Sequence, residues 1–137
     1  MGARRGWTFL ALILAQGAHS GEEYVLRLYD HLPPARAVSE SLGFDRAAGF
    51  VVVNSLLFGF GLLCWLLWVR PGRRPAWAVA FAWAILETLN ALGHFALAYA
   101  AGGYFPGLYT APLLLLVGLL LLAQLVRRPA NPSRAAP

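Results

Sequence analysis

Four apolar stretches, residues 7–26, 50–69, 77–99 and 108–126, leave this chain little choice of architecture. Each is close to the roughly 20 residues that a helix needs to cross about 30 Å of hydrocarbon. Together they take up most of the 137 residues, so the connections are short and no separate soluble domain fits between them. The chain breaks where proline and glycine gather: Pro33-Pro34, Pro71-Gly72 with Pro75, Gly102-Gly103 to Pro106-Gly107, and the proline-rich end. The expected fold is all-α, a single four-helix transmembrane bundle over residues 1–128, with 129–137 as a disordered tail.

Charge placement orients the spans. Eleven basic residues, all Arg, stand against six acidic ones for a formal net charge of +5, yet only 12% of the chain is charged and 59% is hydrophobic. A chain this apolar is not a nucleic-acid binder, and its charges belong at the ends of spans. Arg4, Arg5, Arg70, Arg73, Arg74, Arg127, Arg128 and Arg134 fall on one side, whereas Arg27, Arg36 and Arg46 share the first loop with Asp30, Glu40 and Asp45. The positive-inside rule then places both termini in the cytoplasm, in a multi-pass protein of the plasma membrane. Trp7, Trp65, Trp68 and Trp77 near span ends suit the interfacial belt. The first stretch also has the outline of a secretory signal peptide, but apolar character resumes at Tyr24-Val25-Leu26. Cys64, the single cysteine, reads as a small buried hydrophobe.

Ionisable groups inside such spans are expensive and must face the bundle interior or water. His19, Glu22 and Glu23 end the first span; at about 100° per residue, Glu22 lies some 60° to one side of His19 and Glu23 some 40° to the other. Glu87, Asn90 and His94 form a polar stripe on the third span, and Asn54 adds an amide to the second. With the spans alternating in direction, all of these fall between mid-membrane and the outer surface, beneath the segment from Tyr104 to Thr110. Two imidazoles and several carboxylates can hold a divalent metal, zinc or iron, through His19, Glu22, Glu87 and His94. The same groups can equally transfer protons without one. Arg27, within a turn of Glu23, makes that carboxylate the one most easily read as wet and interfacial.

The order His19-x-x-Glu22-Glu23, Asn90-x-x-x-His94, Tyr104-x-Pro106-Gly107 resembles the HXXEE family of small bacterial and archaeal membrane proteins. The resemblance covers essentially the whole chain. It implies a polytopic membrane protein with those motif residues as its functional core, and leaves the reaction open.

The favoured expectation is a membrane-embedded enzyme acting on a membrane lipid or another hydrophobic, isoprenoid-like small molecule by acid/base or metal-assisted chemistry. His19, Glu22, Glu23, Glu87, Asn90 and His94 would carry the chemistry, with Glu22 the leading base or ligand. Asn54, Tyr104, Pro106 and Gly107 would meet the substrate. The alternatives are a small proton-coupled transporter or channel subunit, for which the inner half offers no ionisable groups, and a structural or partner-binding membrane protein of open oligomeric state. Reporter fusions at the C-terminus and within residues 102–107 should read cytoplasmic and exterior respectively; a cytoplasmic 102–107 segment would overturn the shared-depth argument.

Overall fold

The computed structural model describes residues 2–127 and is helical, with no strand among the described residues. The tail at 129–137, together with Arg128 and Arg134, lies outside the described residues. Six helices follow in order: α1 Ala3–Val25, α2 Leu28–His31, α3 Pro33–Ser41, α4 Arg46–Cys64, α5 Ala76–Ala100 and α6 Ala111–Val126. A π-helical turn, Trp65–Val69, continues α4 to its end.

The helix boundaries have local causes. Arg27, at φ 57°, turns the chain left-handed between α1 and α2. Pro33 and Pro34 occupy the first turn of α3, where a missing N–H leaves no helical bond unmade. Asp45 caps α4, its carboxylate accepting from the Ala48 amide at 3.0 Å, so this helix starts four residues before the apolar stretch itself. The first loop, expected as a plain connection, instead folds into α2 and α3. These pack on α4 around Leu28, Tyr29 and Phe50, where Gly49 abuts Ser39. Arg46 lies near Glu40 at 3.4 Å and Asp30 at 3.9 Å, so the charges of this loop do offset one another.

The four long helices run alternately up and down. Trp65 donates its indole N–H to the Gly6 carbonyl at 2.9 Å, Trp77 to that of Leu125 at 3.3 Å, and the Arg5 guanidinium to that of Arg127 at 3.2 Å. The starts of α1 and α5 and the ends of α4 and α6 therefore meet at the arginine-rich end. That half of the bundle is filled by Phe9, Leu12, Ile13, Cys64, Val69 and Ala80, all buried. The outward faces are apolar as well, with Leu56, Leu89 and Leu116 exposed.

Gly61 lets α4 approach α1 and α5 closely. A Cβ there would lie 2.7 Å from Ile13 Cδ1 and 3.0 Å from Trp83 Cζ2, whereas one at Gly59 would meet nothing within 4 Å. Gly61→Val should therefore destabilise the bundle by about 1–3 kcal/mol through overpacking. Gly59→Ala should leave the thermal midpoint unchanged or raise it, since alanine is the better helix former. Differential scanning fluorimetry of both variants in detergent checks the pair.

Candidate functional site

Residues four apart on a helix overlap within about 40°, whereas neighbours diverge by about 100°. His19 and Glu23 accordingly turn together into the bundle, 0% and 7% exposed, and Glu22 turns aside toward the segment between α5 and α6.

Glu22 is saturated by that segment. Its Oε1 accepts from the Tyr104 hydroxyl (2.5 Å), the Gly107 amide (3.1 Å) and the Tyr109 amide (3.0 Å); its Oε2 accepts from the Thr110 amide (2.8 Å) and hydroxyl (2.6 Å). Amides at a helix start have no intrahelical acceptor, and the positive end of the helix dipole favours an anion there. The carboxylate thus caps the approach to α6 from another helix and leaves itself no free lone pair for a metal. It also delays the start of α6 to Ala111, three residues past the expected boundary. Tyr104 packs on Tyr109, ring centroids 4.5 Å apart. Partial desolvation of its hydroxyl, then its bond to Glu22, push the phenol above its ordinary pKa and keep it a proton donor.

The same anchor decides a tautomer. Thr110 has one hydroxyl hydrogen, and an ionised carboxylate 2.6 Å away can only accept it. The Thr110 oxygen must then accept from His19 Nδ1 at 2.8 Å, so the His19 proton sits on Nδ1 and its lone pair on Nε2. That Nε2 is buried without a hydrogen-bond partner, 3.5 Å from Glu23 Oε1. His94 places Nε2 3.0 Å from the same Glu23 oxygen, and its Nδ1 is likewise buried and unpartnered. The two imidazoles meet edge to face, centroids 4.5 Å apart. One donor atom from each of His19, Glu23 and His94 lies within 4.8 Å of the others.

Gly107 closes over them. At φ 97° it adopts a conformation that suits glycine, and a Cβ would collide with the His94 ring and lie 3.0 Å from His19 Cε1. Pro106 beside it is buried.

Other sequence-derived candidates fall elsewhere. Glu87 is buried, 1% exposed, on the His94 face of α5, but seven residues earlier, about 10 Å down the helix. There it accepts from Asn90 at 3.4 Å. Asn54 binds Ser20 from across the α1–α4 contact. The centre therefore gathers Glu23, expected among the groups carrying the chemistry but not among the metal ligands, while Glu22 and Glu87, expected as ligands, lie outside it. Sequence reasoning passed over Thr110 and Gln16. A hydroxyl just before an apolar helix was a readable capping signal, whereas Gln16 gave none.

A family model described as "Protein of unknown function with HXXEE motif" matches residues 7–122. The chain belongs to the HXXEE family. No curated protein and no solved structure matches it. In this HXXEE chain the motif divides its labour by helix geometry: the first and fifth positions face the centre and the fourth holds the lid. Glu22→Gln puts an amide N–H₂ against several donors and should cost about 2–4 kcal/mol, given that bonds to a charged group are worth about 1.5–3 each. Limited proteolysis should then cut the 102–110 segment, and Glu23→Gln should leave it protected.

Proposed function

We propose that this chain is a multi-pass plasma-membrane protein whose helices α1, α4, α5 and α6 cross the bilayer with both termini cytoplasmic. We further propose that it is a metal-dependent enzyme acting on a hydrophobic, lipid-like substrate. Two helices, Arg46–Val69 and Ala76–Ala100, are long and apolar enough to cross a membrane, and α6 is a shorter apolar helix. Only 17% of the most apolar window of the first is buried, an outward face that water disfavours and lipid accepts.

The observation that carries the enzymatic reading is the buried His19–Glu23–His94 cluster, in which His19 Nε2 has no hydrogen-bond partner 3.5 Å from Glu23 Oε1, His94 Nε2 lies 3.0 Å from the same oxygen, and His94 Nδ1 is unpartnered under Gly107. A buried polar atom without a partner costs about 1–3 kcal/mol, so a bound group that satisfies it is strongly favoured. Two histidines and one carboxylate leave coordination positions open, as catalytic sites for zinc or ferrous iron do. The Glu22–Thr110–His19 chain supplies the outer hydrogen bond that a ligating histidine needs to fix its ring. A divalent ion held there supplies Lewis acidity and a more acidic water. With the two histidines as ligands, Glu23 is the group at hand to hold or move a proton through its second carboxylate oxygen, and the lid formed by Gly107 and Tyr104 keeps bulk water out. The apolar packing at the arginine-rich end favours local chemistry over a path across the membrane.

Protein purified in mild detergent should carry about one zinc or iron per chain by elemental analysis. Glu23→Gln and His94→Gln should stay helical and lose at least tenfold of that metal, in line with the loss of a ligand. Metal-free wild type, or full occupancy in both variants, would overturn the reading.

A further inference from the structure

A second chain of hydrogen bonds on α1 runs away from the metal centre and ends on an unfilled acceptor. The Asn54 amide nitrogen donates to the Phe50 carbonyl at 3.0 Å, which fixes the side chain with its oxygen toward Ser20. The Ser20 hydroxyl must then donate to that oxygen, at 2.8 Å, and keeps only lone pairs for Gln16. Gln16 answers with its amide nitrogen at 2.9 Å. Its orientation is thereby set from three residues away, and its carbonyl oxygen is left buried without a partner in a side chain only 2% exposed.

Gln16 lines a partly open cavity of about 280 Å³ between α1, the α2–α3 cover, α4 and α5. One wall is polar, made by Gln16, Ser20, Glu23, Asn54 and Asn90; the other is apolar, with Leu28, Leu32, Val38, Phe50 and Val53 among its residues. Among the described residues no basic side chain lines it. Glu23 belongs both to this wall and to the metal-capable centre, so the cavity adjoins the chemistry.

We infer that this cavity binds an uncharged amphiphile whose hydroxyl donates to Gln16 Oε1 while its hydrocarbon lies against the α2–α3 cover: a lipid alcohol. The polar wall is built of amides and a hydroxyl beside Glu23 and, among the described residues, holds no cation to meet a phosphate or carboxylate, so an anionic head is rejected. Glu23 Oε1 is already engaged by His94 Nε2 at 3.0 Å, so an ammonium at Gln16 would face only a neutral carbonyl, and its desolvation goes uncompensated. At roughly 30 Å³ for a water-sized group, the space holds about nine non-hydrogen atoms, the size of 1-octanol or the head end of a longer alcohol. The inference rests on the enzymatic reading only in making this alcohol the substrate.

The test uses the full chain in lipid nanodiscs and three photoactivatable eight-carbon diazirine probes that differ in the head: alcohol, carboxylate and amine. Labelled residues are mapped by mass spectrometry and metal content is measured in parallel. The alcohol probe should label residues within 28–57, and excess 1-octanol should compete. Gln16→Leu should weaken that competition by about five- to tenfold, the worth of one neutral hydrogen bond, at unchanged metal content. Val53→Trp, which fills the cavity from α4, should abolish the labelling and covers the case in which Gln16→Leu does not fold. Equal or stronger labelling by the carboxylate or amine probe overturns the inference, as does wild-type labelling in both variants. If metal is present in either of those outcomes, the enzymatic reading survives alone. If metal is absent while the alcohol still binds through Gln16, the pocket stands and the enzymatic reading falls.

Discussion

The Glu22 carboxylate holds the outer end of this molecule together. It takes the amides of Gly107, Tyr109 and Thr110 and the hydroxyls of Tyr104 and Thr110, so one side chain on α1 ties down the whole approach to α6. Without an anion there, the first amides before α6 would lose the acceptor that orders them. Everything above the histidines follows from that grip: Gly107 lies on both rings, and Thr110 reaches His19 only because its backbone is pinned.

Two hydrogen-bond chains leave α1 in opposite directions, and each ends on an unsatisfied atom. From Glu22 the constraint passes through Thr110 to His19 and emerges as a free Nε2 lone pair. From the Phe50 carbonyl it passes through Asn54 and Ser20 to Gln16 and emerges as a free carbonyl oxygen. In both, each hydroxyl or amide has only one orientation that avoids an acceptor facing an acceptor. Buried atoms left over after so much orientation are places for something else to bind, and Glu23 stands between them.

The contrast between the two ends of the bundle fits this division. At the arginine-rich end, indole and guanidinium groups tie helix termini to backbone carbonyls over an apolar filling. At the other end the buried groups are imidazoles, carboxylates and amides, and the α2–α3 cover adds an apolar wall beside them. One end is held by apolar packing and the other gathers the buried polar groups.

The amino-acid sequence by itself determined the long helices to within a few residues. Apolar length and proline-glycine breaks are local properties, and a helix satisfies its own backbone wherever it sits. The gathering of His19 and His94 was also legible, since buried charge must seek company and their positions along the helices matched. What only the tertiary structure decided is which carboxylate joins them. Glu22 and Glu23 are adjacent and chemically near-identical, and the choice between them depends on how α1 is rotated against α5 and α6. Arg27 suggested that Glu23 was wet, but the left-handed turn at that residue swings the arginine onto Asp30 at 2.8 Å, leaving Glu23 to the histidines. The α2–α3 cover, the tautomer of His19 and the vacant oxygen of Gln16 were hidden for the same reason. Each is the outcome of donors and acceptors meeting across distant segments, and hydropathy along one chain carries no record of such pairings.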